Sequence, residues 1–363
     1  MSERILVVGT GLVGGSIGLR LRAGADVVVR GVDAVAENTQ RAMELGALDE
    51  VADDMETAVD GADLIVVATP VGEVLPTITK IAMRAAPGTI VTDVGSTKSG
   101  IVAHAERLLG PDRTFVGGHP MAGTEGEGIA SARADLFDDA LWILTPTDQT
   151  DSGAYRRVNA LVASLGARSL ALDAAEHDRL VALVSHLPYA IATSLMAVAG
   201  DEGDERVFRA AAGSFRDVTR TAGSNPRIWQ DIFATNRDAV VRELDEFAAT
   251  LQRLRDAIAH GASNDIDELI GKARAARKRF PPKGERTPAD PVTLEVGIPD
   301  RAGVLAEITT AIGQGGINIE DLWVDHTAAG GVLRLVVDGH DVARRAAELL
   351  TSKEFRTTIV EER

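Results

Sequence analysis

Residues 4–16, RILVVGTGLVGGS, leave the start of this chain few ways to fold. Four apolar, mostly β-branched residues (Ile5, Leu6, Val7, Val8) run straight into Gly9, and beyond the glycines the apolar spacing becomes helical. Gly9, Gly11 and Gly14 make the pattern G-x-G-x-x-G. In that pattern the first glycine permits a tight turn, the second lets a pyrophosphate approach the backbone, and the third lets helix pack closely on strand. Amides at the helix start, those of Leu12 and Val13 among them, then face the phosphates. The next strand, residues 27–32, ends on Asp33, which lies 33 − 14 = 19 residues past the last glycine. That is close to the ~20 expected for the acid that accepts the ribose hydroxyls. A carboxylate here repels a 2′-phosphate, so the pattern predicts NAD over NADP, with Arg30 as the nearby cation that could favour NADP.

Two further strand-to-loop units repeat the plan. Residues 63–71, DLIVVATPV, open into Thr69 and Pro70, and residues 89–98, TIVTDVGSTK, open into Gly95 and Ser96. Ligands of open parallel sheets bind beyond the carboxyl ends of the strands, so both loops are expected to line the cofactor. Ser96 is expected to reach toward nicotinamide and substrate; the alternative is a cap of the following helix, and the two roles are compatible. Then comes VGGHPMAGTE, residues 116–125, with His119 set among Gly117, Gly118, Pro120 and Gly123. Glycines here are expected to clear space for a ligand, with proline fixing the turn.

Beyond residue 173 the strands give way to helical periodicity. In residues 177–196, HDRLVALVSHLPYAIATSLM, Pro188 is expected to kink the helix beside His186. The kink turns that imidazole into a cleft, or His186 is a hydrogen-bonded core residue. Arg216 and Arg220 stand one helical turn apart, spaced to share a face. One of them is a candidate carboxylate clamp, since the guanidinium fork matches a carboxylate, and a surface salt bridge is the alternative. Residues 228–260 read as one long amphipathic helix, residues 262–280 as another. Four of the chain's 13 prolines fall in residues 281–291, which marks a linker. A β-α-β-β-α-β pattern follows, with strands at 292–298, 317–325, 331–338 and 355–361, the order of a ferredoxin-like domain. The expected organisation is thus an α/β Rossmann-type dinucleotide-binding domain at 1–172, an all-α domain at 173–280, a linker at 281–291 and the ferredoxin-like domain at 292–363.

Charge narrows the partners. With 38 basic and 54 acidic residues the formal net charge is −16, which repels nucleic acid and anionic membrane surfaces. An anionic substrate therefore needs a local arginine. No cysteine is present, so disulfides and thiolate metal sites are excluded. The chain reads as cytoplasmic, with no apolar run expected to cross a bilayer.

Several of these segments together resemble the prephenate/arogenate dehydrogenases of tyrosine biosynthesis. They are the glycine motif with Asp33, DVGSTK at 93–98, GGHPMAGTE at 117–125, SHLP at 185–188 and DVTRTA at 217–222. The tail, with IPDRAGVL at 298–305 and GINIE at 316–320, resembles an ACT domain, an amino-acid-sensing module. The resemblance implies NAD-dependent oxidative decarboxylation of prephenate to 4-hydroxyphenylpyruvate and a homodimer formed through the helical domain. It implies that His119 accepts the proton of the substrate's C4 hydroxyl while hydride leaves C4, with Ser96 sharing that contact. It places Arg220 on a substrate carboxylate, His186 and Gly213 in the pocket lining, and Thr124, Glu125 and Trp229 around it. Tyr189 departs from the family, whose members often carry histidine there. In the ACT domain, Asp300, Ala302, Gly303 and Asn318 are the expected contacts of an effector, for which L-tyrosine is the natural candidate. Arogenate as substrate and a dinucleotide and amino-acid sensor without turnover remain the alternative readings. A β-hydroxyacid dehydrogenase is disfavoured, because its catalytic lysine has no counterpart between Lys98 and Lys272.

Overall fold

The computed structural model describes residues 2–24, 26–110, 112–123, 126–279, 291–299, 301, 303–319, 321–327 and 330–360. Two compact units divide it, Met1–Arg253 and Leu254–Arg363. Thr124, Glu125, Asp300, Ala302 and all but the last residue of the expected linker lie outside the described residues.

The first unit is built on an eight-stranded sheet. Its strands are β1 (Glu3–Val8), β2 (Val27–Val32), β3 (Glu50–Val51), β4 (Leu64–Val67), β5 (Ile90–Asp93), β6 (Thr114–Pro120), β7 (Leu141–Thr145) and β8 (Arg168–Ala171), in the order β3-β2-β1-β4-β5-β6-β7-β8. The first six are parallel, β7 runs antiparallel to β6, and β8 is parallel to β7. Crossover helices α1 (Leu12–Gly24), α2 (Ala36–Glu44), α3 (Met55–Val59), α4 (Val71–Ala82), α5 (Ser99–Leu109) and α6 (Ser152–Ser164) join them. Continuous valine and isoleucine runs suit strands covered on both faces, and β1 and β4 have buried interiors. One core lies on the face of α1 and α6, around Ile17, Phe137 and Trp142, and the other on the face of α4 and α5, around Ile65, Ile78 and Phe115.

The helices that follow are α7 (Ala174–Val181), a π-helical turn (Ala182–His186), α8 (Leu187–Asp201), α9 (Glu205–Ala210), α10 (Gly213–Thr219), a 3₁₀ turn (Arg220–Gly223), α11 (Pro226–Thr235) and α12 (Arg237–His260). Proline 188 does not break the chain's helical course. It sits in the first turn of α8, where its missing N–H costs nothing, and the extra residue is taken up by the π turn before it. Residues 174–201 thus form one helical run, and it contains a stretch long and apolar enough by length and composition to span a bilayer. This corrects the expectation that no apolar run is long enough to cross a bilayer. The run is built into the unit by His177, Asp178 and His186, all buried polar residues bonded to their neighbours. The single helix expected over 228–260 is also two. Asn236 breaks it, at φ −121° and ψ 32°, because its buried side chain donates to the Asp178 carbonyl instead of facing solvent.

In the second unit α13 (Ser263–Arg279) precedes a four-stranded antiparallel sheet. Its strands β9 (Pro291–Ile298), β10 (Asp321–Thr327), β11 (Gly330–Asp338) and β12 (Thr357–Val360) take the order β10-β11-β9-β12, with α14 (Val304–Gln314) and α15 (His340–Ser352) joining them. This is the ferredoxin-like topology, with Leu294, Ile308, Leu333, Leu335 and Leu350 in its core. Asn318, expected inside the second strand, lies in the irregular segment before β10, and Gly303 caps α14 with φ +85°.

Candidate active site

Parallel strands align their carboxyl ends, and the expected cofactor and catalytic residues fall along that one edge. Each glycine of the first loop has a distinct geometric cause. Gly9 has φ +91°, and a Cβ there would come within 2.6 Å of the Ala68 carbonyl oxygen on the adjoining β4 loop. A Cβ on Gly14 would come within 1.9 Å of the Gly9 carbonyl oxygen, whereas one on Gly11 would meet nothing within 4 Å. Gly11 thus opens a cradle in front of the amides of Leu12 and Val13 at the start of α1. On the neighbouring loop the Thr69 hydroxyl is buried with no hydrogen-bond partner among the described residues, just ahead of Pro70, the N-cap residue of α4. Open backbone, an orphaned hydroxyl and an acid at the ribose position fit a dinucleotide.

Asp33 is held firmly. One oxygen accepts the Thr10 amide at 2.7 Å, the other the Val35 amide at 2.9 Å and the Asn38 side chain at 3.1 Å. Arg30 is turned away from it. Its guanidinium bonds Glu50 at 2.8–2.9 Å and the carbonyls of Thr57, Ala58 and Asp60 at the end of α3, which removes it as a partner for a 2′-phosphate.

His119 stands near the end of β6 and is half-buried, paired across to Ile143 of β7. The two glycines before it serve packing, not ligand approach, contrary to expectation. A Cβ on Gly117 would lie 2.3 Å from the Thr145 hydroxyl, and one on Gly118 would lie 2.7 Å from the Asp93 carbonyl oxygen. Behind the imidazole runs a chain of hydrogen bonds. His119 Nδ1 is 2.8 Å from His177 Nε2, and His177 Nδ1 is 2.8 Å from Asp178 Oδ1. Asp178 also caps α5 from outside, accepting the Lys98 amide at 2.7 Å and the Ser99 amide at 2.8 Å. Ser96 is therefore not the cap, and among the described residues its hydroxyl has no hydrogen-bond partner. Below this layer lies a fully buried ion pair, Lys98 with Asp93. Asp93 further accepts the amides of Gly95 at 2.9 Å and Gly118 at 3.1 Å, tying the β5 loop to the residue before His119.

The electrostatics favour a neutral base. Burial, then the neighbouring His177, Lys98 and His186, holds His119 well below the ordinary histidine value. Burial likewise depresses Lys98 against the pull of Asp93. For Asp178 burial acts upward, but hydrogen bonds from His177, Ser99 and Lys98 outweigh it and keep the carboxyl below its usual range. His186 is pushed down to about 4, chiefly by burial.

His186 is 1% exposed, with Nδ1 3.3 Å from the Asn236 side chain and its ring edge-on to Trp229. The structure thus gives it the hydrogen-bonded core setting. Trp229 itself is stacked face to face on Tyr189, ring centroids 3.6 Å apart, so the departure at Tyr189 produces an aromatic stack. Arg220 ends α10 and opens the 3₁₀ turn, exposed, with Gly213 at the start of the same helix; both segments pack on α8.

The sequence pattern missed His177, Asp178, Lys98 and Asp93. A signal existed for two of them. His177 sits one turn before the buried Val181, and Lys98 lies in helical phase with Val102, Ala105 and Leu109, which places both on a core face. Their meeting with His119 has no local signature.

A doubly wound sheet with an open glycine cradle, and a neutral imidazole on the same edge, define a dinucleotide-binding oxidoreductase. Residues 17–171 match the family described as prephenate dehydrogenase, nucleotide-binding domain, residues 173–272 the prephenate dehydrogenase dimerization domain, and residues 292–354 the ACT domain. The chain belongs to the prephenate dehydrogenase family. It is 32% identical to a prephenate dehydrogenase of Bacillus subtilis, the alignment covering 98% of both chains. Among solved structures it resembles the Aquifex aeolicus prephenate dehydrogenase in complex with hydroxyphenyl propionate and NAD+ (TM-score 0.72, 31% identity, 77% of this chain and 98% of that one). It also resembles a Synechocystis arogenate dehydrogenase (TM-score 0.68, 31% identity, 77% and 100% covered).

Proposed function

We propose that this protein is a cytoplasmic, NAD-dependent prephenate dehydrogenase that converts prephenate to 4-hydroxyphenylpyruvate, carbon dioxide and NADH. The observation that carries the reading is His119, a depressed, neutral imidazole on the same sheet edge as the cradle of Gly9, Gly11 and Gly14. Bound NAD+ supplies the hydride acceptor. His119 takes the proton of the substrate's C4 hydroxyl, and the unpartnered Ser96 hydroxyl holds the same oxygen. Loss of the carboxylate as carbon dioxide makes the ring aromatic, which drives the reaction forward. Arg220 pairs with a substrate carboxylate beside Gly213 and Trp229, and Thr124 and Glu125 are proposed as further substrate contacts. Asp33, with Arg30 committed elsewhere, favours NAD+ over NADP+.

The helical domain leaves Leu183, Val184, Val198, Val218 and Val241 exposed, which suits a homodimer. The ACT domain is the proposed receptor for L-tyrosine, through Asp300, Ala302, Gly303 and Asn318.

The test mixes the full chain with prephenate and NAD+ and follows NADH absorbance, with arogenate and NADP+ in parallel. Rapid NADH formation with prephenate and NAD+ is expected. No reduction with either substrate contradicts the reading, and faster turnover of arogenate moves the assignment to that substrate. In the same assay Arg220→Ala should raise KM for prephenate by about 30-fold or more, the scale of a lost charge-assisted contact, and lower kcat far less. An unchanged KM removes Arg220 from the site.

A further inference from the structure

A neutral histidine is a base only at the nitrogen without a hydrogen, so the bonds behind His119 decide whether it faces the substrate with a lone pair. Resting on the reading of His119 as proton acceptor, we propose that His177 and Asp178 are positioning residues that fix the His119 ring with its hydrogen on Nδ1 and its lone pair on Nε2, and that share the positive charge the ring acquires.

The polarity of these bonds is set at the far end of the chain. The Asp178 carboxylate accepts the Lys98 amide on Oδ1 and the Ser99 amide on Oδ2. Backbone N–H groups can only donate, so this carboxylate is fixed as an acceptor on both oxygens. His177 Nδ1, 2.8 Å from Oδ1, is then the donor of that bond. A neutral imidazole has a single N–H, which leaves His177 Nε2 as an acceptor. His119 Nδ1, 2.8 Å away, must in turn donate. The polarity that begins at two backbone amides of α5 thus ends by leaving Nε2 of His119 free to take a proton.

The same chain supports the charged form. As the substrate O–H bond breaks, the new N–H bond forms at Nε2, and His119 becomes an imidazolium whose Nδ1–H already points at His177. The compensating negative charge sits on Asp178, one ring further back. This repeats the logic by which a buried carboxylate orients a catalytic imidazole and stabilises its cation, with a second histidine interposed. The other groups facing His119 oppose its protonation or are already neutralised: His186 from the π turn, Lys98 at the start of α5, and Asp93 at the end of β5, which is spent on Lys98. His177 is wholly buried, so no solvent exchange at its ring competes with this arrangement.

The experiment compares His177→Gln with His177→Phe in the full-length enzyme. Glutamine offers a carbonyl oxygen that can accept the His119 Nδ1–H, whereas phenylalanine fills the space and accepts nothing. His177→Phe should lower kcat roughly 100-fold, with KM for prephenate and NAD+ affinity changed less than about threefold, and His177→Gln should recover about a tenth of wild-type kcat or more. Nitrogen-15 spectra of the histidine rings, recorded without substrate at neutral pH, should show His119 with a protonated Nδ1 in wild type and His177→Gln, and with Nε2–H dominant in His177→Phe. If His177→Phe fails to fold, Asp178→Asn carries the test and should lower kcat at least tenfold with NAD+ affinity unchanged. Wild-type kcat in these variants, or an Nε2–H ring in the wild-type spectrum, overturns the proposal. Because the spectra need no substrate, the failure of prephenate as substrate and the failure of this relay give different results.

Discussion

Acid reaches this protein through its buried imidazoles. His186 titrates at its ordinary 6.5 when unfolded and at about 4 when folded, because burial disfavours the charged ring. Above 6.5 both states hold a neutral ring and pH has no leverage. Between 6.5 and 4 only the unfolded chain gains the proton, so stability falls as pH falls, and below about 4 the loss levels off. A shift of that size corresponds to roughly 3 kcal/mol. Urea unfolding at pH 7 and pH 4.5 should show a steeper loss for the wild type than for His186→Asn, which has no ring to protonate there. Equal losses in both proteins contradict the buried, neutral setting of His186. His119 is depressed in the same direction, so kcat/KM should rise with pH only below the usual histidine range and stay flat at neutral pH.

Between elements, the decisive contacts are ionic and buried. Asp93 and Lys98 bridge the end of β5 and the start of α5, and Asp178 reaches from α7 to cap α5. Replacing one member of a buried pair leaves the other charge uncompensated, at a cost of about 3–5 kcal/mol, whereas removing both charges is far milder. Asp93→Asn should therefore lower unfolding stability by that amount, and Asp93→Asn with Lys98→Met should restore most of it. A single variant as stable as wild type contradicts the pair's structural role. These contacts also explain which features the sequence displayed. Gly14 answers to Gly9 and Val7 within one βαβ unit and Gly9 to its own positive φ, so the glycine loop was legible residue by residue, although Ala68 of the β4 loop also crowds Gly9. Gly117 and Gly118 were legible as a motif but not in cause, because Thr145 and Asp93, the atoms that exclude a side chain, come from other strands. The break at Asn236 was hidden for the same reason, since its partner is the carbonyl of Asp178, 58 residues away.

On the scale of the whole chain, the two compact units have separate cores, and the −16 charge leaves local arginines to attract an anionic substrate. The ferredoxin-like order was legible from alternating strand and helix patterns, while the second strand was placed early because the apolar Ile317 and Ile319 precede β10. Regulation by L-tyrosine through this domain requires the effector to bind one arrangement of the enzyme better than another. A chain ending after Arg279 should remain folded and active and lose most of its inhibition by tyrosine. Inhibition that persists in the shortened chain and competes with prephenate instead places tyrosine in the active site.

The proposed reaction turns on a neutral His119 on the carboxyl edge of the sheet that takes the substrate's proton. Its most direct test is the kcat of His119→Asn beside its NAD+ dissociation constant. A loss of roughly 100-fold or more in kcat is expected, the scale of a missing general base, with NAD+ binding unchanged. A variant that turns over prephenate at the wild-type rate contradicts it.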